Sequence, residues 1–115
     1  PTVFEAEPGM HVFDEEIFGP VRCLKRVETL DEAIELINSS RYGNAATIYT
    51  QSGAWAREFR FRVECGNVGV NVAIPQPYAF FPLGSRRESF LGGAKSRMGS
   101  MRLFMDEKTV CTRWV

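Results

Sequence analysis

Apolar residues along this chain change repeatedly between the spacing of a strand and the spacing of a helix. The segments 21–27, 45–50 and 67–72 are short and rich in β-branched residues, which predicts three strands. Between them apolar residues recur at helical spacing: Leu30, Ala33, Ile34 and Ile37 in the first helix, and Trp55, Ala56, Phe59 and Val63 in the second. The predicted order is strand, helix, strand, helix, strand.

Both predicted helices begin at residues that are suited to capping. Residues 29–32 read Thr-Leu-Asp-Glu, a capping box in which the threonine hydroxyl accepts from a free backbone N–H and the glutamate returns the bond. Ser52 is placed to cap the second helix. The first helix is predicted to end at a run of polar and small residues: Asn38, Ser39, Ser40 and Gly43.

The alternation of strands and helices predicts the fold class. Strands that alternate with helices pair in a parallel sheet through right-handed crossovers. Such a sheet is covered on both faces, and two short helices do not cover three strands on both sides. We therefore expect an α/β fold, with a βαβαβ unit that forms part of a three-layer structure and needs partners from outside this chain.

The segment after the third strand has a different character. Residues 73–100 contain three prolines and four glycines, interleaved with aromatic residues. A structureless segment of this length is usually functional or supported by other parts of a protein, so we expect a long loop at a pocket wall or an interface. Residues 109–115 return to β-branched and aromatic residues and predict a terminal strand that can pair with a neighbouring subunit's sheet edge.

Composition narrows the classes of function. Fourteen basic and 14 acidic side chains cancel, so no overall field attracts nucleic acid or an anionic membrane. No apolar run approaches the roughly 20 residues of a membrane-spanning helix. The three cysteines, Cys23, Cys65 and Cys111, are widely spaced and accompanied by one histidine, which argues against a metal site or a disulfide framework. We expect each cysteine to be a small core hydrophobe.

Two groups of residues are candidates for ligand binding. Residues 16–20 read Glu-Ile-Phe-Gly-Pro, a stiff turn in which Glu16 could accept from ribose hydroxyls and Phe18 could pack on a flat heterocycle. The alternative for Glu16 is a solvated acidic cluster with its two neighbours. The second group is basic, and its default interpretation is a solvated face, with an anionic ligand as the alternative: Arg86, Arg87, Lys95, Arg97 and Arg102.

Several segments together resemble the aldehyde dehydrogenase superfamily over nearly the whole chain. They are residues 16–20, 29–34, 42–44, 66–71 and 108–110. Within the superfamily, residues 71–77, 84–86 and 89–90 resemble the methylmalonate-semialdehyde dehydrogenase branch. That branch oxidises a branched semialdehyde with NAD and releases an acyl-CoA. Arg87 and Glu88 look like one additional residue relative to that branch.

The resemblance implies roles for individual residues. Glu16 matches the residue that binds the nicotinamide ribose, and Phe18 matches the ring beside the nicotinamide. The residues that would line the aldehyde tunnel are Asn71, Ile74, Pro75, Phe80 and Phe81. In the family a cysteine thiolate attacks the aldehyde. That cysteine and the dinucleotide-binding fold lie upstream of the matched stretch, so no catalytic residue is assigned in this chain.

The resemblance also implies an organisation and a setting. Residues 1–100 would be the C-terminal part of a catalytic domain, and residues 101–115 an oligomerisation tail whose strand at 109–115 joins a partner subunit. The expected partners are the remainder of the dehydrogenase chain and further copies of it, with no nucleic acid and no membrane. NAD would be the cofactor and CoA the co-substrate of the complete enzyme, in the cytoplasm or, in a eukaryote, the mitochondrial matrix.

Alternative hypotheses stay open on the sequence. The first hypothesis is a fragment of the acylating enzyme that is inactive alone. A second is a free-standing, non-catalytic module for oligomerisation, and a third is a fragment of a carboxylate-forming aldehyde dehydrogenase. An intact enzyme of another class finds support only in the aromatic loop.

Overall fold

The computed structural model describes residues 1–76, 81–90 and 97–115 and shows a mixed α/β arrangement there. Within these ranges the strands are β1 (Thr2–Glu5), β2 (Val21–Leu24), β3 (Tyr42–Gly43), β4 (Ala45–Ile48), β5 (Asn67–Val70) and β6 (Arg86–Arg87). The helices are α1 (His11–Asp14), α2 (Leu30–Ser39), α3 (Gly53–Arg62) and α4 (Arg97–Leu103). The two helices and the three strands that were predicted for the βαβαβ unit are all present, and each of these strands is shorter than predicted.

The core lies where α2 and α3 pack on the parallel pair of β4 and β5. The pair runs from Ala45 opposite Asn67 to Ile48 opposite Val70, and α3 is the crossover that joins the two strands. The buried residues of this core are Ile34, Phe59, Val63 and Cys65, with Leu30, Ile37, Ala46, Ile48 and Val68 packed against them. Trp55 is an exception to the predicted apolar face, because it lies largely in solvent.

Polar side chains cap α2 and α3 at the predicted residues. The Thr29 hydroxyl accepts from the N–H of Glu32 at 3.1 Å, and the Ser52 hydroxyl accepts from the N–H of Trp55 at 3.3 Å. The Glu32 carboxylate accepts from the N–H of Glu28 at 2.9 Å, one residue before the position that the capping box predicts. Each cap satisfies backbone donors that have no partner inside the helix.

One asparagine joins the ends of the two helices. Asn38, in the last turn of α2, donates its side-chain amide to the carbonyl of Arg62 at 2.9 Å and accepts from the N–H of Glu64 at 2.8 Å. The Arg62 side chain pairs with Asp31 at the other end of α2. These bonds fix the two helices relative to each other on one face of β4 and β5.

The first two strands form a separate parallel pair, which corrects the predicted sheet. Residues 2–5, for which no strand was predicted, form β1 and pair with β2, from Thr2 opposite Val21 to Glu5 opposite Leu24. In the described chain β2 therefore does not join β4 and β5, and the predicted sheet of three strands is wrong. Consecutive strands often pair, and β2 pairs with β1, the strand before it in the chain, instead of with the later β4.

The C-terminal residues are not packed on the core. The radius of gyration is 19.0 Å, whereas a compact chain of this length has about 13 Å. Residues 105–115 form neither helix nor strand and are exposed, so the strand predicted at 109–115 is not formed within the chain. A strand needs a second backbone to pair with its N–H and C=O groups, and within the described part of the chain residues 105–115 join none of the sheets. None of the described helices is long and apolar enough to cross a membrane.

Candidate functional site

The loop between α1 and β2 carries the two predicted cofactor-binding residues. Glu16 is exposed, and the Phe18 ring is 93% exposed. The backbone between them and β2 is tightened by a hydrogen bond from the N–H of Gly19 to the carbonyl of Ile17 at 3.0 Å. The carboxylate and the aromatic ring are therefore both accessible to a ligand or to another protein surface.

A cleft of about 440 Å³ lies next to this loop. It is lined by residues near α1 and by the C-terminal end of α2: Pro8, Phe13, Asp14, Glu15, Leu36, Ser39, Ser40 and Arg41. The Arg41 guanidinium pairs with Glu15 at 3.2 Å in its wall. A hydrogen bond to the Tyr42 hydroxyl, together with the charges of Glu15 and Glu88, raises the pKa of Arg41 above its ordinary value.

A second depression follows β5 and contains one of the predicted substrate-lining residues. This groove of about 390 Å³ is lined by Gly66, Asn67, Val68, Gly69, Val70, Val72, Pro75, Gln76 and Pro82. A Cβ added at Gly69 would lie 2.5 Å from Thr47 Oγ1 and 2.9 Å from Val72 Cγ2. The glycine thus allows the chain after β5 to fold back closely over the strand, and Pro75 lies within this fold.

Asn71 has an internal structural role beside the predicted one. Its carboxamide oxygen accepts from the N–H of Thr50 at 2.9 Å, and its carboxamide nitrogen donates to the carbonyl of Thr50 at 3.0 Å. Its backbone is left-handed (φ 57°), and its own N–H donates to Ile48. Asparagine tolerates this conformation better than most residues. Asn71 therefore continues the pairing of β4 and β5 beyond their last residues.

The remaining predicted substrate-lining residues are Ile74, Phe80 and Phe81. Ile74 and Phe81 are both largely exposed, on either side of the undescribed stretch 77–80. Phe80 lies outside the described residues. Pro75 and Pro82 share the groove, so the two flanking segments meet there. The predicted lining and the predicted cofactor loop are carried by different elements, after β5 and before β2.

Sequence reasoning missed the crossing of the segment 84–89 over the start of β5. A Cβ added at Gly66 would overlap the backbone of Gly84 and Ser85. The Asn67 side chain holds this crossing, because it donates to the carbonyl of Gly84 at 2.7 Å and to the carbonyl of Asn44 at 3.0 Å. The glycines at both positions were the available signal, but glycine spacing does not reveal which two segments approach each other.

Arg87 corrects the default interpretation of the basic residues as a solvated face. Its guanidinium donates to the carbonyls of Ile37 (3.3 Å) and Ser40 (2.5 Å) at the C-terminal end of α2, and pairs with Glu64 at 2.8 Å. Only 20% of its side chain is exposed. A cation at this helix end satisfies free carbonyls and opposes the negative end of the helix dipole.

The three cysteines have different surroundings. Cys65 is buried, and burial raises the pKa of its thiol, so it is held as a neutral thiol and is unsuited to be a nucleophile. Cys23 and Cys111 are exposed, which is contrary to the expected core positions. The Cys23 thiol donates to the carbonyl of Val12 at 2.9 Å. Among the described residues no three potential metal ligands lie together.

Comparisons with known proteins show which family the sequence of this chain matches. The family model of the aldehyde dehydrogenase family matches residues 1–110. A malonate-semialdehyde dehydrogenase of Bacillus thuringiensis (strain Al Hakam) is 42% identical over 99% of this chain and 24% of that protein. A second malonate-semialdehyde dehydrogenase, from Geobacillus kaustophilus, is 43% identical over 99% of the chain. This chain therefore spans about a quarter of the length of the curated relatives that it matches.

Solved structures show the same similarity in three dimensions. A Sinorhizobium meliloti 1021 protein, assigned as a methylmalonate-semialdehyde dehydrogenase and solved with NAD, covers 98% of this chain with a TM-score of 0.86 and 35% identity. The methylmalonate-semialdehyde dehydrogenase of Oceanimonas doudoroffii covers 96% with a TM-score of 0.84 and 34% identity. The chain covers 23% of each of those structures.

Proposed function

Because the chain belongs to the aldehyde dehydrogenase family, we propose that it is the C-terminal part of an NAD-dependent, CoA-acylating dehydrogenase of malonate or methylmalonate semialdehyde. The observation that carries this proposal is the match of 99% of the chain to malonate-semialdehyde dehydrogenases, with the same backbone as a relative solved with NAD. The chain alone is proposed to be inactive, because the family resemblance implies that the nucleophile and the dinucleotide-binding fold lie upstream of the matched stretch.

The loop before β2 is proposed to form one wall of the nicotinamide site. Glu16 offers an exposed carboxylate that can accept hydrogen bonds from two ribose hydroxyls, and Phe18 offers an exposed flat ring. These residues fit the nicotinamide riboside half of NAD. NAD, when bound, supplies the acceptor for the hydride of the aldehyde. The contribution of this chain is to orient the riboside and to shield one of its sides from water.

The groove after β5 is proposed to form part of the aldehyde site. Its lining is mostly backbone and apolar side chains, among them Val72, Pro75 and Pro82. Ile74 and Phe81, each next in sequence to a lining proline, are largely exposed. Apolar walls with few polar groups exclude water and hold a small organic substrate by shape. Close packing of Val72 and Pro75 over Gly69 and the hydrogen bonds of Asn71 to Thr50 hold the backbone on both sides of the groove, so we expect its walls to be preorganised for a ligand.

The test of the proposal is a product analysis on the complete protein that carries this chain. With a semialdehyde, NAD and CoA we expect NADH and acyl-CoA in equal amounts, and we expect neither from the 115-residue chain by itself. NADH formation with a free acid as product would assign the protein to the carboxylate-forming branch instead. Absence of NADH formation by the complete protein would overturn the proposal.

Two matched variants test the role of the cofactor loop. Glu16→Gln keeps the shape but removes the charge, so we expect the KM for NAD to rise about tenfold, as for loss of a charge-assisted hydrogen bond. Glu35→Gln is the control, because Glu35 is an exposed carboxylate on α2. An equal change in both variants, or no change in either, would remove Glu16 from the cofactor site.

A further inference from the structure

Arg41 lies between the loop that the proposed function assigns to the cofactor and the segment 84–89, which packs against the proposed substrate groove at Gly66. It follows the C-terminal end of α2 and precedes β3. Its side chain contacts one residue from the cofactor loop and one from the segment 84–89, and it was not among the residues that the sequence singled out.

On the cofactor side, Arg41 holds Glu15, the residue next to Glu16. The guanidinium nitrogen Nη2 lies 3.2 Å from Glu15 Oε2 and 2.8 Å from the Tyr42 hydroxyl. The guanidinium carbon also lies 4.9 Å from the centre of the Tyr42 ring, within the range of a cation–π contact. Tyr42 therefore restricts the orientation in which Arg41 reaches Glu15.

On the substrate side, Arg41 holds Glu88 through both its side chain and its backbone. Nε lies 3.2 Å from Glu88 Oε2, and the carbonyl of Arg41 accepts from the N–H of Glu88 at 3.1 Å. Glu88 belongs to the segment that crosses Gly66 and leads back to Pro82 in the groove. Gly84 and Ser85 of the same segment lie directly against Gly66, which lines the groove, so the segment that Arg41 holds is in contact with the groove wall.

We propose that Arg41 is a positioning residue that holds the loop carrying Glu16 and the segment 84–89, which packs against the groove at Gly66, in one fixed arrangement. The inference rests on the proposed function for its consequences in catalysis, but its structural content stands on the contacts alone. One guanidinium pairs with two carboxylates that approach it from different segments, Glu15 at 3.2 Å and Glu88 at 3.2 Å. Without it, both carboxylates lose their cationic partner, so we expect both segments to be held less firmly.

The kinetic test uses the complete protein with four variants. Arg41→Met is expected to raise the KM for NAD and the KM for the aldehyde together, each about two- to fivefold, since exposed ion pairs contribute modestly. Arg41→Lys is expected to restore only part of the effect, because a single ammonium cannot form the two-sided contact of the guanidinium. Glu15→Gln is expected to change mainly the KM for NAD, and Glu88→Gln mainly that for the aldehyde.

A structural measurement on the same variants keeps the test independent of activity. Hydrogen exchange of peptides covering residues 15–20 and 84–90 is expected to accelerate in both peptides for Arg41→Met, and in one peptide each for the glutamate variants. The control is Arg60→Met, an exposed arginine on α3, for which both peptides should exchange as in the unchanged protein.

The outcomes separate this inference from the proposed function. If the complete protein lacks NAD-dependent activity, the proposed function fails, and hydrogen exchange still decides whether Arg41 joins the two segments. If the protein is active but Arg41→Met changes one KM alone, or leaves both peptides unchanged, the inference about Arg41 is wrong. Coupled changes in both peptides and both KM values would support it.

Discussion

In the core unit, formed by α2, β4, α3 and β5, large apolar side chains pack on one another, whereas in residues 104–115 they lie in solvent. Phe59 is 3% exposed in the core unit, and Trp114 is 92% exposed in the tail. The sequence predicts secondary structure in both regions, because the spacing of apolar residues predicts amphipathic helices in the core unit and the β-branched and aromatic residues predict a strand in the tail. The difference lies in their partners: the helices find a sheet in this chain, and the tail does not.

This contrast separates a region that is packed within the chain from a region that is expected to pack against another surface. A region whose apolar residues are satisfied internally serves as a scaffold for the loop before β2 and the groove after β5. A region whose apolar residues are exposed is expected to be completed by another surface, since large exposed apolar patches mark interaction sites. The predictions below test the two halves of the contrast in the protein that carries this chain.

The largest effect is expected from a buried ring of the core unit. Phe59→Ala removes a ring that packs against Ile34 and Val63, and it should lower the free energy of unfolding by about 3–5 kcal/mol. Phe61→Ala is the matched control on the same helix, because that ring is 90% exposed. Its effect should stay within about 0.5 kcal/mol. Thermal unfolding compares the two, and equal losses would show that α3 is buried differently.

A smaller but specific effect is expected where two backbones cross. Gly66→Ala would place a methyl group against the backbone of Gly84 and Ser85, so we expect a loss of about 2 kcal/mol or more and looser packing of the segment 84–89. Gly53→Ala, at the start of α3, meets only the flexible end of Arg57 at 3.6 Å and should be neutral or slightly stabilising. A harmless Gly66→Ala variant would contradict the crossing.

The next largest effect on stability is expected from the N-terminal cap of α2. Thr29→Ala removes the hydroxyl that accepts from Glu32, and it should cost about 1 kcal/mol of stability. Thr29→Ser keeps the acceptor and should retain most of that stability. Thermal unfolding and hydrogen exchange at residues 30–33 measure the loss. If serine and alanine behave alike, the cap does not stabilise α2.

The smallest effect on unfolding is expected from the tail. Deletion of residues 109–115 removes exposed side chains, so the core unit should unfold at nearly the same temperature. Self-association should fall, because we propose that this segment pairs with a partner subunit's sheet. Sedimentation velocity before and after deletion measures the change. Unchanged sedimentation would separate the tail from assembly.

The sequence predicted those parts of the fold whose cause is local. The cap at Thr29, the buried positions of Ile34 and Phe59 and the crossover through α3 all follow from periodicity and capping within about ten residues. The pairing of β1 with β2 was not predicted, because the four residues 2–5 were not recognised as a strand in a segment that also holds Pro1, Pro8 and Gly9.

The candidate site was predictable only in its local features. Glu16 and Phe18 lie in an exposed turn and Pro75 lies in a groove, while their roles towards a cofactor and a substrate stay predictions. The contacts of Arg87 and Arg41 were not predicted, because an arginine on a surface and an arginine at a helix end look the same in a sequence. Their partners, the carbonyls of Ile37 and Ser40 and the carboxylates of Glu15, Glu64 and Glu88, become neighbours only after the chain has folded.

The central claim is that this chain is one part of a complete dehydrogenase, and the mass of the native protein tests it most directly. An antibody raised against residues 1–115 should detect a single chain about four times heavier than 13.0 kDa, since the matched relatives are that much longer. A band at 13.0 kDa alone would contradict the account and would favour a free-standing interaction module.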